Sequence, residues 1–348
     1  MEFKTQLLKA DENSLDLAAK YFSAGEVVAV PTETVYGLAG NAYNGETIKK
    51  IFEAKGRPQD NPLIVHISDM EMLKEVASVI PGTAYKLADA FWPGPLTMIM
   101  KKSEKVSPVT TAGLDSVGIR MPSDPFAHAL IVKTGIPFAA PSANVSGRPS
   151  PTDAKTVFED MNGKIPLVVD GGECFAGVES TVVSLLNETP IILRPGYVTK
   201  EDMEEVLGTE VKIAAAVTEN IKAGEKVLSP GMKYKHYAPK ADLVLVEGEQ
   251  EAVVAEINAL VREKQAAGLK VGVVATDETE SLYQADYVVT IGARSDEDAI
   301  ARHLYKILRE FDDWNVDAIY SESFSTPRIG QAIMNRLMKA AGHQVIHV

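Results

Sequence analysis

Residues 55–66 read KGRPQDNPLIVH. Ahead of them, ETIKKIFEA carries Ile48, Ile51 and Phe52 at helical spacing; behind the turn, Leu63 to Ile67 is a short apolar run. A helix end, a tight Gly-Pro turn and a strand start thus follow one another, the kind of junction at which α/β proteins place binding groups. Lys55 and Arg57 flank Gly56 there. Guanidinium grips phosphate or carboxylate in a bidentate fork, and ammonium adds a point charge. The same three residues also describe an ordinary solvated turn, so the decision rests on the company they keep.

That company is specific. PTETVYGLAG (31–40) follows the apolar run Val27 to Val30 and is dense in hydroxyls and glycines. FWPGPLTMIM (91–100) sets two prolines round a glycine, VGIRMPSDP (117–125) places Arg120 in a strand-like run, and APSANVSGRPSPT (140–152) is a small-residue loop. GVESTVVSL (177–185) and ILRPG (192–196) follow, and SPGMKYKHYAP stands at 229–239. In this combination the chain resembles the YrdC-like threonylcarbamoyl-AMP synthases in their longer, two-domain form. The paired KxR and SxN signatures stand as Lys55/Arg57 and Ser142/Asn144, and nothing in the chain departs from the signature motifs.

The resemblance implies a substrate set, a site and a partner. Such enzymes take L-threonine, bicarbonate or carbon dioxide, and ATP, and release pyrophosphate and L-threonylcarbamoyladenylate. Lys55 and Arg57 are the expected catalytic pair, stabilising charge on the α-phosphate and the leaving pyrophosphate. L-Threonine is expected to meet Thr34, His66, Arg120, the backbone of Ala140, and Ser180. ATP is expected to meet Arg57, Asn61, Ser116, Ser142, Asn144, Ser150, Arg194, and the 229–239 segment at Tyr234 or His236. Magnesium is expected to arrive on ATP, since no Asp/Glu cluster suggests a protein-built cage. The product is expected to pass to a separate tRNA threonylcarbamoyl transferase that modifies the adenosine beside the anticodon.

The residues read alone agree with that chemistry. Ser142 has no histidine in its own loop, and the chain has no GxSxG elbow and no GxxxxGK[ST] phosphate loop. Catalysis by positioning and electrostatics, without a covalent enzyme intermediate, is the expectation. Two other readings stand beside it. One is an RNA-binding or ribosome-maturation module using the same kind of cleft. The other is a carbamoyl-adenylating enzyme of hydrogenase maturation, whose extra zinc-finger modules need cysteines this chain lacks.

Composition bounds the rest. The chain has 348 residues, 45% of them hydrophobic, and a net charge of -13. Residues 240–348 hold 11 basic and 18 acidic side chains. Phosphate contacts dominate non-specific nucleic-acid affinity, so no tight nucleic-acid complex is expected. No apolar run approaches the roughly 20 residues that span a bilayer, and a cytoplasmic location with no membrane role is expected. The single cysteine, Cys174, is read as structural.

Along the chain, Ser14 is a candidate cap for a helix to Ala24. Further helices are expected at 69–79, 83–91, 124–134, 152–161 and 199–207. Strands are expected at 27–30, 63–67, 97–100, 117–121, 137–140, 166–169, 181–185 and 191–193. The expected fold is α/β: a mixed open twisted sheet with flanking helices over residues 1–210. A linker over 211–240 that covers the active site follows, and then a smaller Rossmann-like parallel α/β domain over 241–348. In that last part, strands at 243–246, 271–274, 287–291, 318–320 and 345–348 alternate with helices at 249–265, 296–312 and 329–341. No GxGxxG follows its first strand, so no dinucleotide is assigned to it.

Overall fold

The structure is a computed structural model that describes residues 3–217, 237–324 and 328–348. These residues form two compact units: 3–146 with 150–217, and 147–149 with 237–324 and 328–348. In the first unit the elements run β1 (Gln6–Lys9), α1 (Glu12–Ser23), β2 (Val28–Val30), β3 (Gly37–Asn41), α2 (Gly45–Lys55), β4 (Ile64–His66), α3 (Met70–Val76) and β5 (Ala77–Val79). They continue with α4 (Gly82–Phe91), β6 (Leu96–Lys102), β7 (Ser116–Arg120), α5 (Pro125–Thr134), β8 (Phe138–Ala139) and α6 (Ala154–Met161). The unit ends with β9 (Leu167–Asp170), β10 (Thr181–Ser184), β11 (Ile191–Arg194), α7 (Lys200–Leu207) and β12 (Lys212–Ile213). Its strands form one mixed sheet in the order β1-β9-β2-β3-β8-β4-β7-β6-β10-β11-β12, with β5 paired to β6.

The two faces of this sheet are set by strand alternation. Val28 and Val30 pack with Leu167 and Val169 against Phe22 of α1 and Leu130 and Ile131 of α5. Their neighbours Val27 and Ala29 face the other way, into the cluster that holds Ile48, Ile51 and Phe52 of α2. Each such aliphatic or aromatic side chain, fully buried, contributes about 1.5–3 kcal/mol. The helical stripe read from 46–54 is therefore the stripe that fixes α2, and with it residues 55–57, on the sheet.

Local differences from the sequence reading have physical causes. Asp11, not Ser14, caps α1: its carboxylate accepts the Ser14 N–H at 2.7 Å while the Ser14 hydroxyl accepts the Asp11 N–H at 2.9 Å. Residues 77–79 leave the helix expected there and pair with Lys101 and Lys102 as β5. The strand β3 lies inside the hydroxyl- and glycine-rich stretch and has no period to betray it. It is central, buried between β2 and β8. Its Gly40 is required by α2, since a Cβ there would sit 2.9 Å from Thr47 Cγ2 and 3.0 Å from Ile51 Cδ1. The sheet also continues past residue 210, because β12 pairs in parallel with β11. Most of the expected linker, residues 218–236, lies outside the described residues.

The second unit runs β13 (Asp242–Glu247), α8 (Gln250–Ala266), β14 (Val271–Ala275), β15 (Tyr287–Thr290), α9 (Glu297–Trp314), β16 (Ala318–Glu322), α10 (Ile329–Ala340) and β17 (Val345–His347). Its five strands are all parallel, in the order β15-β14-β16-β13-β17. β14 is buried along its whole length, as a parallel strand covered on both faces must be. Among the described residues no helix is long and apolar enough to cross a membrane.

Candidate active site

The end of α2 brings the first two signatures together. Gly56 takes a left-handed conformation, φ 61°, that closes the helix and lets Arg57 N–H return to Phe52 O at 2.9 Å. Lys55 is thereby turned inward and is only 3% exposed. Its ammonium donates to the carbonyls of Ser142 and Asn144, the latter at 2.7 Å, and approaches Asn144 Oδ1 at 3.3 Å. Ser142 Oγ donates to Asn144 Oδ1 at 2.5 Å, and Ser146 N–H donates to Lys55 O at 2.9 Å. Lys55 is thus the central strut of the SxN loop. Arg57 reaches back over the Phe52 ring, 5.9 Å from its centroid, and its Nη2 lies 3.5 Å from Asn61 O. Asn61 is 1% exposed, yet neither atom of its amide has a hydrogen-bond partner among the described residues.

A second cluster forms where β4 and β7 run side by side, His66 level with Arg120. Arg120 Nε donates to Gly94 O at 3.3 Å, and Nη1 donates to Thr34 Oγ1 at 2.9 Å. Its Nη2 forms an ion pair with Glu33 Oε1 at 2.7 Å, but neither Nη2 nor either Glu33 oxygen makes an aligned hydrogen bond. The Thr32 hydroxyl donates to Val35 O at 2.6 Å, so the 2.9 Å contact between Thr32 and Thr34 uses the Thr34 hydrogen. Thr34 Oγ1 is left with accepting capacity only. His66 stacks on Phe138 at 4.9 Å, and its Nδ1 is buried without a hydrogen-bond partner. Burial and then the Arg120 charge push its pKa well below the ordinary histidine value, so the ring is neutral. Ala140 follows β8, its N–H donating to Ile64 O at 3.0 Å.

The remaining expected residues divide. Ser180 Oγ is 2.8 Å from Thr97 Oγ1 and accepts from Arg194 Nη2 at 3.1 Å, while Arg194 Nε donates to Ser180 O. Ser150 Oγ donates to Glu179 Oε1 at 2.6 Å. Ser116 stands apart. It opens β7 opposite Lys101, four strand positions before Arg120, or about 13 Å along the strand. Tyr234 and His236 lie outside the described residues. Cys174 is 3% exposed, and burial pushes its thiol far up, consistent with a structural thiol.

Glu33, Glu179, Thr97 and Thr32 were not singled out by the sequence reading. A signal existed for the first: a buried arginine requires a carboxylate, and the E of PTETVYG is the acidic residue of the stretch that meets it.

Comparison with known proteins adds to this geometry. Residues 20–196 match a family described as "Telomere recombination" (Sua5/YciO/YrdC), and residues 198–342 match "Threonylcarbamoyl-AMP synthase, C-terminal domain". The chain is similar to the threonylcarbamoyl-AMP synthase of Bacillus subtilis, 49% identical over 343 residues, covering 98% of this chain and 97% of that one. It is 46% identical over 340 residues to the enzyme of that name from Pyrococcus abyssi, covering 98% and 97%. The crystal structure of P. abyssi Sua5 complexed with L-threonine superposes with a TM-score of 0.92 at 45% identity, over 100% of both chains.

Proposed function

This chain belongs to the Sua5/YciO/YrdC family in its two-domain form, the threonylcarbamoyl-AMP synthases, and on that premise we propose how its first unit performs the reaction. The activity is the formation of threonylcarbamoyl-AMP at the expense of ATP. Bicarbonate or carbon dioxide carboxylates the amine of L-threonine. An oxygen of the resulting carbamate attacks the α-phosphorus of ATP, and the bond to pyrophosphate breaks. Arg120 holds the amino-acid carboxylate. Thr34 accepts from the substrate hydroxyl, since its own hydrogen is engaged with Thr32. His66 and Ser180 complete the pocket with the backbone of Ala140.

Arg57 takes the charge that develops on the phosphates, next to Asn61. Lys55 adds its positive charge from beneath the Ser142–Asn144 loop, whose shape it maintains. Ser116, Ser150 and Arg194 belong to the nucleotide side; Tyr234 and His236, the other expected ATP contacts, lie outside the described residues. Among the described residues no group of three or more His, Cys, Asp or Glu could hold a metal ion. A divalent cation, magnesium in this reading, enters on the phosphate oxygens of ATP as part of the substrate. The product is an activated carbamoyl donor that a separate transferase passes to tRNA. The acidic balance of residues 240–348 favours handing over a small molecule rather than holding the tRNA.

One observation carries this reading. Buried polar atoms without an aligned hydrogen bond among the described residues include those of Glu33, Asn61, His66 and Arg120, with Tyr43 and Asp312 outside the expected site. A fold leaves few such atoms unless something else supplies the partners. The test is pyrophosphate release by the full chain, which should require both L-threonine and bicarbonate. Arg57→Ala should lower it by about 10²-fold, as for loss of one electrostatic stabiliser, with the unfolding curve unchanged. Release that ignores threonine would overturn the reading, and near-normal turnover in the variant would remove Arg57 from the site.

A further inference from the structure

Glu33 has no part in the reaction as described so far, and its surroundings are unusual for a structural carboxylate. Its side chain is 10% exposed and its main-chain carbonyl is fixed by Ala176 N–H at 2.8 Å. A buried ion pair is stabilising only when its remaining lone pairs are satisfied. Here Arg120 approaches at 2.7 Å without an aligned hydrogen bond, and the backbone N–H groups of Glu33 itself and of Ser123 also face the carboxylate, likewise short of full hydrogen-bond geometry. Burial raises the Glu33 carboxyl, but the Arg120 charge, the close approach of its guanidinium and then the backbone N–H groups of Glu33 and Ser123 outweigh it and hold the pKa below the ordinary range. The group is an anion with unused acceptors.

The neighbouring groups narrow what it can accept. Asp124, the nearby second carboxylate, is engaged as the cap of α5, taking the N–H of Phe126 at 2.9 Å and of Ala127 at 3.0 Å. His66 is neutral. Arg120 has bonds from Nε and Nη1 to protein, which leaves Nη2 to be shared between Glu33 and an incoming anion. An α-amino acid held by its carboxylate on that guanidinium carries its nitrogen one carbon away, on the side of a negative partner if one is present. The Arg120–Glu33 pair is a preformed complement to a zwitterion, cation to carboxylate and anion to ammonium.

We propose that Glu33 receives the α-amino nitrogen of L-threonine and so positions the atom that becomes carboxylated. This rests on Arg120 being the carboxylate partner. Binding to the full chain by titration calorimetry separates the two statements. The ligands are L-threonine, 2,3-dihydroxybutyrate, in which a hydroxyl replaces the amine, and L-threonine amide, which lacks the carboxylate. In the unmodified protein, threonine should bind about 10²-fold tighter than 2,3-dihydroxybutyrate, the scale of a hydrogen bond to a charged group. Equal affinities would overturn the proposal without any variant. Glu33→Gln should weaken threonine by a similar factor and leave 2,3-dihydroxybutyrate unchanged. If Glu33 merely orients Arg120, both ligands weaken together, and the proposal fails. Arg120→Met should weaken threonine but not its amide; an unaffected threonine affinity there would instead remove the premise.

Discussion

Two glutamates facing arginines, one in each unit, show opposite uses of the same chemistry. Glu322 ends β16 and is 1% exposed. It accepts from the Thr279 hydroxyl and from Tyr283 OH at 2.8 Å, and pairs with Arg294. Thr279 is itself braced by Thr276 at 3.0 Å. Glu33 is less deeply buried, its side chain 10% exposed, and also faces an arginine, yet its oxygens have no aligned donor. Removing a carboxylate from water is unfavourable in both places. In the second unit the fold itself supplies the replacement partners, so the charge serves structure. In the first unit the fold supplies Arg120 and backbone N–H groups of Glu33 and Ser123, none at full hydrogen-bond geometry, and the carboxylate keeps accepting capacity.

The contrast can be tested from its strongest consequence downward. A site whose polar atoms wait for a hydroxyl discriminates sharply against a ligand without one. L-Threonine should therefore be preferred over 2-aminobutyrate by about 10⁴-fold in kcat/KM for pyrophosphate release. Comparable rates would mean that Thr34 and Ser180 do not read the hydroxyl, and that their bonds to Thr32, Thr97 and Arg194 are purely internal. Next comes stability. Breaking a satisfied buried pair is costly, so Glu322→Ala should lower the stability of the second unit by about 3 kcal/mol. Glu33→Gln, which loses no aligned bond, should change the first unit by about 1 kcal/mol or less. Chemical denaturation followed by amide exchange in each unit measures both, and equal losses would erase the distinction.

The smallest effect is a pH slope. The folded-state pKa of His66 lies below its ordinary value, so below about pH 6.5 the unfolded chain binds a proton that the folded chain refuses. The contribution of His66 is therefore fully present above the unfolded pKa and is lost as pH falls from there towards the folded value. The slope cannot exceed about 1.4 kcal/mol per pH unit. His66→Gln should flatten the stability profile between about pH 5 and 6.5. A profile that keeps its slope would place the titrating group elsewhere.

The contrast between the two glutamates was invisible along the chain, although much else was not. The helix over 46–54, the turn at Gly56 and the strand after it follow from spacing and turn chemistry, both properties of adjacent residues. The alternation in residues 241–348 likewise needs only local periods, and it returned the parallel sheet of the second unit. Elements without a local signature were missed, among them β1 and β12 at the two ends of the sheet, β3, whose small residues answer to the packing of α2, and β5, whose pairing lies across the sheet with β6.

The site divides along the same line. Residue types alone showed that this chain carries cations beside glycine and hydroxyl-rich loops, and these set the expectation of a chemistry of binding and charge stabilisation. What each charge does depended on partners distant in sequence. Lys55 meets carbonyls 87 and 89 residues away and braces a loop; Arg120 meets Thr34 86 residues away. Hydrogen bonds act over about 3 Å, whereas a sequence orders residues only by their neighbours. Which acceptors are used, and which remain for a substrate, is therefore decided by tertiary structure alone.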